Sequence, residues 1–312
     1  MEINKESVQK FIDDQLRVWD TARGNYEALS RVEVKTLRLG DAEVKVQFNP
    51  ARIVSSAAKV DKASLKARAC FLCADNRPAE QEGLAWGNYT VLINPFPIFP
   101  KHLTIPCNQH TDQRINAERI GDMLELSRML EGFTLFYNGP KCGASAPDHF
   151  HFQAGNRGFM PIEDEQKTAE AKVLEAKDGA EIALVESLGR PFFRIRSTDK
   201  KAAERMFVCL FKAMNIPEGE PEPMLNILCW HEAGEWTLLV FPRKKHRPFC
   251  YFAEGDANIL LSPASVDMGG VFITPLEKDF RKITADDIRM ILDEVCLNKD
   301  EAEQLADKLL FD

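Results

Sequence analysis

The chain has 312 residues, of which 45% are hydrophobic and 28% are charged, and its formal net charge is −8 at pH 7. This length suits one large domain or two moderate ones, and the composition is that of an ordinary globular protein. The acidic balance argues against a general nucleic-acid-binding protein, and no apolar run approaches the length of a membrane span.

The first half of the chain predicts strands and helices in mixed order. The N-terminus is charged and has no apolar signal core, which predicts a cytoplasmic protein that begins with an amphipathic helix. A hairpin is expected around Gly40-Asp41, followed by strands that begin at Tyr89 and at His102. Thr111 is expected to cap a helix that continues to about residue 131, and the segments "FTLFYNG" and "HFHFQAG" then predict two further strands.

The second half predicts the same mixture. Residues 164–185 are rich in Glu, Lys and Ala and are interpreted as a solvated helix or connector. Strands are expected in "RPFFRIRS", "NILCWHEAGEWTLLVFPRKKHRP" and "GGVFITP", with a helix near 199–214 and acidic helices from Thr284 onward. Because Gly-rich strand-to-helix turns are missing from this pattern, we predict an α+β fold with a mostly antiparallel sheet rather than a doubly wound one.

Eight cysteines without a secretion signal indicate thiols or metal ligands rather than disulfides. Cys70 and Cys73 form a C-x-x-C pair, which is compatible with half of a zinc site, a redox pair or two buried small side chains. A zinc site needs two more soft or borderline donors. The candidates are His102, His110, and either His149 or His151.

The stretch "GASAPDHFHFQAG" contains the H-x-H pair His149 and His151. In a strand, residues two apart point to one face, so both rings could bind the same metal. The alternative is that His149 binds zinc and His151 attacks phosphorus, because imidazole is a competent nucleophile. The upstream loop "NGPKCGAS" can present backbone N–H groups and a hydroxyl to a phosphate, and Gln153 adds a neutral donor. These neighbours favour the division of roles.

Four blocks, "CFLCADN", "YTVLINPFPIF", "HLTIPCNQH" and "NGPKCGASAPDHFHFQ", occur in this order between about residues 68 and 155. Together they resemble the histidine-triad (HIT) superfamily, in the branch of galactose-1-phosphate uridylyltransferases, dinucleoside tetraphosphate phosphorylases and GDP-hexose phosphorylases. The resemblance implies two tandem HIT-like halves with a mostly antiparallel sheet flanked by helices. Residues 1–165 would carry the motifs, and residues 166–312 would form a degenerate second half.

The resemblance also implies roles for individual residues. His151 would be the nucleophile that accepts the nucleotidyl group, Gln153 would contact its phosphate, and Asn94 would contact the ribose. Phe71 and Leu72 would line the base pocket. The implied ligands of a structural zinc ion are Cys70, Cys73, His110 and His149, and the implied α-phosphate contacts are Asn138, Gly143 and Ser145.

The chain also departs from the uridylyltransferase pattern. Pro95 stands where those enzymes have Asp, and Asp148 is an additional residue before the H-x-H pair. The second half offers only His231 and His246, so no second metal site is expected. A basic cluster is our candidate for binding the leaving group and the acceptor, with a solvated basic turn as the alternative; its residues are Arg243, Lys244, Lys245 and Arg247.

The predicted activity is that of a nucleotidyltransferase or phosphorylase that works through a covalent nucleotidyl-histidine. Its substrate would be a nucleoside diphosphate sugar or a dinucleoside polyphosphate, and its acceptor inorganic phosphate or a sugar 1-phosphate. Two alternatives stay open, namely a zinc-dependent phosphoester or phosphoanhydride hydrolase and a non-catalytic nucleotide-binding module. No nucleic-acid or membrane partner is expected, and a homodimer is compatible with the resemblance, because relatives often build sites across a dimer.

Overall fold

The computed structural model describes residues 3–58, 60–187 and 189–311. Within these ranges, helices and strands alternate in mixed order. The α-helices are α1 (Lys5–Val18), α2 (Asp20–Leu29), α3 (Ile53–Ser56), α4 (Lys62–Lys66), α5 (Ala117–Met129), α6 (Ile162–Thr168), α7 (Lys200–Ala213), α8 (Phe249–Phe252), α9 (Ser265–Met268), α10 (Glu277–Lys282), α11 (Ala285–Val295) and α12 (Lys299–Ala306). The strands are β1 (Glu33–Leu39), β2 (Ala42–Phe48), β3 (Gly83–Trp86), β4 (Tyr89–Ile93), β5 (His102–Pro106), β6 (Phe133–Asn138), β7 (His151–Asn156), β8 (Ala171–Lys177), β9 (Ala180–Ser187), β10 (Arg190–Ser197), β11 (Leu225–Glu232), β12 (Glu235–Pro242) and β13 (Val271–Thr274).

Ten strands form one sheet in the order β3-β4-β5-β7-β6-β11-β12-β10-β9-β8, and all neighbours are antiparallel. When the five strands of each half are numbered in chain order, the first half has the order 1-2-3-5-4 and the second has 4-5-3-2-1. The halves therefore share one topology and meet where β6 pairs with β11. The α+β class and the tandem organisation predicted from the sequence are confirmed. The division at residue 165, which falls within α6, stays a prediction.

The ten-stranded sheet is covered on both faces. On one face, α5 and α7 pack on each other and on the central strands, with α1 and α12 in the same hydrophobic cluster. The opposite face packs against a second hydrophobic cluster, which includes a small sheet of the hairpin β1–β2 and the parallel strand β13. Because alternate residues of a strand point to opposite faces, β6, β10, β11 and β12 contribute side chains to both clusters. No helix in the described ranges is long and apolar enough to cross a membrane.

The predicted helix at Thr111 begins later than expected. α5 starts at Ala117, and the side chain of Asn116 caps it by accepting a hydrogen bond from Arg119 N (2.8 Å). The segment before it is held outside the helix by side-chain contacts with the sheet. Gln113 donates to Asn138 O and to His151 O, and it accepts from His151 N, so its amide occupies backbone groups at the ends of β6 and β7.

The interpretation of residues 164–185 as a solvated helix or connector was wrong. α6 is short, and the rest of this segment forms β8 and β9, the latter paired along its whole length with β10. Residues 164–185 are polar on average, but they contain the apolar run Ile182–Val185. All four side chains of this run are buried, so local apolar packing decided the structure rather than the mean composition.

Candidate functional site

A cavity of about 1060 Å³ lies on the face of the ten-stranded sheet that carries the small sheet, and both halves contribute to its wall. This volume lies at the upper end of the range of about 300–1,000 Å³ that is typical of small-ligand pockets. Most of the sequence-predicted substrate and catalytic residues line it, namely Asn94, Asn138, Gly143, Ser145, His151, Gln153 and Arg247. Phe71 and Leu72, which the resemblance assigned to a base pocket, line it as well.

The start of β7 places two of these side chains in the cavity. Phe152 and Ala154 point into the hydrophobic cluster beneath α5, and the alternate residues His151 and Gln153 face the cavity. His149 lies before the strand rather than in it. The strand therefore begins two residues later than the sequence predicted, and only His151 of the pair lies in it.

Four side chains form a group that could hold a metal such as zinc. The ligand atoms of Cys70, Cys73, His110 and His149 all lie within 4.8 Å of one another. His149 Nδ1 is 3.2 Å from Cys70 Sγ and 3.5 Å from Cys73 Sγ, and His110 Nδ1 is 3.2 Å from Cys73 Sγ. Two thiols and two imidazole nitrogens are the donors that tetrahedral zinc prefers. His102, the other candidate ligand, lies outside this group, and all eight cysteines are free of disulfides.

In the H-x-H pair, each histidine donates one ring N–H to a backbone carbonyl, and the nitrogen left with a lone pair differs between the two rings. His149 Nε2 donates to Cys107 O (2.8 Å), which leaves the Nδ1 lone pair directed at the cysteines. His151 Nδ1 donates to His149 O (2.8 Å), which leaves its Nε2 lone pair free. A backbone carbonyl only accepts, so each contact fixes the tautomer. The pair thus offers one lone pair to the metal group and another in the cavity.

Burial keeps the His151 ring neutral. The side chain is 4% exposed, and burial lowers its pKa to about 4. In the metal group, burial alone would raise the pKa of Cys70, but the adjacent His149 ring and hydrogen bonds from backbone N–H groups lower it to about 6. A neutral imidazole has a nucleophilic nitrogen, and a thiolate is the form that binds metal.

His102 sets the orientation of the Gln153 amide. Its Nδ1 accepts from Ile98 N (3.2 Å), so its Nε2 carries the proton and donates to Gln153 Oε1 (3.0 Å). The ring is fully buried, and burial lowers its pKa to about 3, so it stays neutral. Because the amide oxygen of Gln153 is occupied, its NH₂ group is the part available to the cavity as a donor.

The loop between β6 and β7 lies against the second half. Gly143 has a φ of +97°, and a Cβ at this position would be 2.4 Å from the Cβ of Ala264. Only glycine combines this backbone conformation with such close contact. Ser265 donates its hydroxyl to Tyr137 O (2.7 Å) and its backbone N–H to Asn138 Oδ1 (2.8 Å). The loop with the predicted phosphate contacts is therefore held by the segment that leads into α9.

The predicted basic cluster separates into different environments. Arg247 lines the cavity, where it donates to Ser262 Oγ (3.1 Å) and Ala58 O (3.0 Å). Arg243 is 5% exposed, and its nitrogens donate to five oxygens within the protein. Lys244 pairs with Glu301 and Lys245 with Glu294. Of the four, only Arg247 is among the cavity-lining residues found in the described ranges.

Two arginines that line the cavity were missed in the sequence. Arg52 follows β2 and uses Nη1 to donate to Phe96 O (2.8 Å), with its charge close enough to His102 to contribute to the lowered pKa of that ring. Arg68 pairs with Asp148 (2.6 Å) and lies over the ring of Phe71. No local motif marks either arginine. The additional residue Asp148 thus belongs to an ion pair at the edge of the cavity.

Two family models match parts of the chain. Residues 11–156 match the model described as a domain of unknown function (DUF4922), and residues 201–311 match the GDPGP1-like, C-terminal domain. No curated protein sequence matches the chain.

Among solved structures, the chain is similar to the yeast Ap4A phosphorylase Apa2. The identity is 17%, with a TM-score of 0.57, and the match covers 90% of this chain and 94% of the other. The AMP complex of the same enzyme gives 17%, a TM-score of 0.58, and coverage of 91% and 97%. Its Ap4A complex gives 16%, 0.57, and coverage of 90% and 97%. Residues 201–311 therefore match a GDPGP1-like, C-terminal domain, and the chain has the fold of the yeast Ap4A phosphorylase, in agreement with the resemblance of its motifs.

Proposed function

We propose that the protein is a nucleotidyltransferase or phosphorylase that forms a covalent nucleotidyl-His151 intermediate. The substrate would be a dinucleoside polyphosphate or a nucleoside diphosphate sugar, and the acceptor inorganic phosphate or a sugar 1-phosphate. Complexes of the similar yeast enzyme with AMP and Ap4A support nucleotide ligands for this fold. The free thiols agree with a cytoplasmic location, which we also propose.

The observation that carries this proposal is the hydrogen bond from His151 Nδ1 to His149 O. It leaves a lone pair on Nε2 of a residue that lines the cavity. In the first step Nε2 forms a bond to the α-phosphorus, the P–O bond to the leaving phosphate breaks, and its electron pair stays on the leaving oxygen. In the second step an acceptor oxygen attacks phosphorus and the N–P pair returns to Nε2. The His149 carbonyl accepts from the charged ring of the intermediate throughout.

Donors around Nε2 would stabilise the charge on the non-bridging oxygens. The Gln153 NH₂ group is available because His102 occupies its oxygen, and Ser145 and Asn138 line the same cavity. Such donors typically contribute about 3 kcal/mol each to the transition state. Arg52 and Arg247 also line this cavity, and we assign them to the phosphates of the leaving group and the acceptor.

Cys70, Cys73, His110 and His149 would hold a structural zinc ion. Bound zinc would fix the turn that carries His149, and it would thereby position the carbonyl that accepts from His151 Nδ1. The hydrolase alternative needs both histidines on one metal, but the metal group formed by the described residues contains His149 and not His151. Because His151 lies outside this metal group and its Nε2 is unprotonated, the arrangement favours nucleotidyl transfer over zinc-dependent hydrolysis.

The proposal is tested by incubating the protein with Ap4A, UDP-, GDP- and ADP-glucose, each labelled at the α-phosphorus. We expect at least one of them to label the protein through an acid-labile, base-stable bond, as is typical of a phosphoramidate. Added inorganic phosphate should release the label as a nucleoside diphosphate. Release of a nucleoside monophosphate without a labelled protein would indicate the hydrolase instead. Nucleotide binding without turnover would indicate a binding module.

A further inference from the structure

Asn138 and Asn226 face each other where the two halves of the large sheet meet. They are partners in the register of β6 and β11, and Asn226 is fully buried. Asn138 lines the cavity from the end of β6. A side-chain amide has one accepting end and one donating end, and the orientation has to be deduced from its partners. For these two residues the partners determine it.

Arg243 determines the orientation of Asn226. A guanidinium group only donates, and Arg243 Nη1 is 2.6 Å from Asn226 Oδ1. The other nitrogens of Arg243 donate to Val295 O, Lys245 O and His246 O, so the group is fixed in place. Asn226 must therefore direct its NH₂ group the other way. There it donates to Asn138 Oδ1 (2.9 Å) and to Cys142 O (2.7 Å).

Asn138 in turn has its oxygen fixed by two donors. In addition to Asn226 Nδ2, the backbone N–H of Ser265 donates to Asn138 Oδ1 (2.8 Å). Both donors come from the second half, and neither can accept at the contacting atom. The NH₂ end of Asn138 is left for the cavity, and no hydrogen bond within the described residues uses it. Arg243, which can only donate, thus sets the orientation of the Asn226 amide, and Asn226 in turn sets the orientation of the Asn138 amide at the cavity wall.

We propose that Asn226, held by Arg243, is a positioning residue that makes Asn138 present its NH₂ group to the phosphate of a bound nucleotide. The identity of the ligand rests on the proposed function, whereas the orientation rests on the hydrogen bonds. This gives the second half a defined task in a site whose reactive residues belong to the first half. It also revises the expected role of Arg243, which would act through Asn226 and not on the leaving group.

Asn226→Asp tests this inference because it keeps the size and the Arg243 contact but cannot donate to Asn138 Oδ1. A carboxylate beside that oxygen favours turning of the Asn138 amide, which replaces a donor toward the phosphate by an acceptor. Binding of AMP, GMP, adenosine and guanosine would be measured by calorimetry. We expect monophosphate affinity to fall about 10- to 100-fold, the effect of losing a hydrogen bond to a charged group, with nucleoside affinity unchanged. Unchanged monophosphate affinity would overturn the inference.

A double variant separates positioning from a direct charge effect. In an Asn138→Ala background, Asn226→Asp should cause little further loss of monophosphate affinity, because the group through which it acts is gone. A full further loss would mean that the new carboxylate repels the phosphate directly, and the inference would be wrong. Asn49→Asp is the matched control. Asn49 is 3% exposed and donates to Gln47 Oε1 and Pro97 O, so its replacement should lower thermal stability without the selective loss of phosphate affinity.

The outcomes also separate this inference from the proposed function. If the unmodified protein binds monophosphates and Asn226→Asp weakens them but no labelled intermediate forms, the positioning role stands and the transfer reaction fails. If the intermediate forms and Asn226→Asp has no effect on it or on affinity, the reverse holds. If the unmodified protein binds no mononucleotide, both are overturned.

Discussion

The two halves of the large sheet have the same strand order but different chemistry. β7 and β12 are each the fifth strand of their half, and each lies between the third and fourth strands. β7 begins with His151 and presents Gln153 to the cavity. β12 begins with Glu235 and continues as the buried run Trp236–Pro242. One topology thus supports a cavity-lining strand with candidate reactive residues in one half and a packed core strand in the other, because fold and site are separable properties.

The second half nevertheless takes part in the site. Arg247 and Ala264 line the cavity, and Ser265 and Asn226 hold the end of β6. The comparison teaches that a half without candidate reactive side chains can still contribute to the site. Under the proposed function, its task would be to position groups of the other half.

The sharpest test of this asymmetry compares histidines of the two halves. His151→Asn should reduce turnover of the labelled substrate by at least about 10⁴-fold, because no other ring nitrogen replaces Nε2. His231→Asn, in β11 of the second half, should leave turnover near that of the unmodified protein. Steady-state rates and the amount of labelled protein would be measured for both. A residual rate above 1% in His151→Asn would exclude its role as the nucleophile.

Metal content offers a second comparison. Cys73→Ser removes one of four ligands, so we expect zinc loss and a decrease of about 3 kcal/mol in the free energy of unfolding, or a fall in Tm of roughly 5–10 °C. Cys250→Ser in the second half should retain the zinc content. Elemental mass spectrometry and thermal unfolding would measure these effects. Equal zinc in both variants would contradict the four-ligand site.

A substitution of Arg52 tests whether the first half binds the phosphates of the leaving group. Arg52→Gln should weaken Ap4A binding about tenfold or more relative to AMP, because a charge-assisted donor to the outer phosphates is lost. Arg38→Gln, on the exposed part of β1, should not change this ratio. Calorimetric titrations of both nucleotides would give it. A parallel loss for AMP and Ap4A would place Arg52 at the α-phosphate instead.

Glu222 links the halves in a way that depends on pH. It accepts from Ile115 N (2.6 Å) and Tyr137 Oη (2.9 Å), and burial raises its pKa from 4.5 to about 8, against the opposing effect of nearby Arg114 and Arg119. The folded state retains a proton that the unfolded state releases above pH 4.5. The stabilisation is fully present below that pH and is lost as the pH rises to about 8.

Across pH 5 to 8, the raised pKa of Glu222 should make the free energy of unfolding fall by about 1 kcal/mol for each unit that the pH rises. Glu222→Gln mimics the protonated form, so the variant should lose this component of the slope. Urea unfolding at several pH values would measure it, with the partly exposed Glu220→Gln as the control. Identical slopes in Glu222→Gln and the unmodified protein would show that Glu222 is ionised when folded.

Much of the first half was predictable, because its information is local. The hairpin β1–β2 followed from alternation around Gly40-Asp41, and the metal group from the spacing of Cys70 and Cys73 with two histidines in the matching blocks. The tautomers of His149 and His151 were not predictable, since they depend on which carbonyl each ring reaches.

The contacts between the halves were beyond local reasoning. Arg243 was placed with the leaving group because it lies in a run of basic residues, yet its partner Asn226 is buried in the neighbouring strand β11. β8 and β9 were missed because a window average conceals a short apolar run. Arg52 reaches the cavity from a segment without any motif. For Arg243 and Arg52, the deciding partner lies outside the local sequence window used for prediction.

The pairing of β6 with β11 also has a consequence for how such a chain can change over generations. If the second half were deleted, the backbone groups along one edge of β6 would lose their partners, and an unpaired edge strand is a template for aggregation. The deletion would also remove the donors on Asn138. Under the proposed function, the second half would therefore be difficult to discard even without reactive residues of its own, because it supplies the partners of β6 and of Asn138.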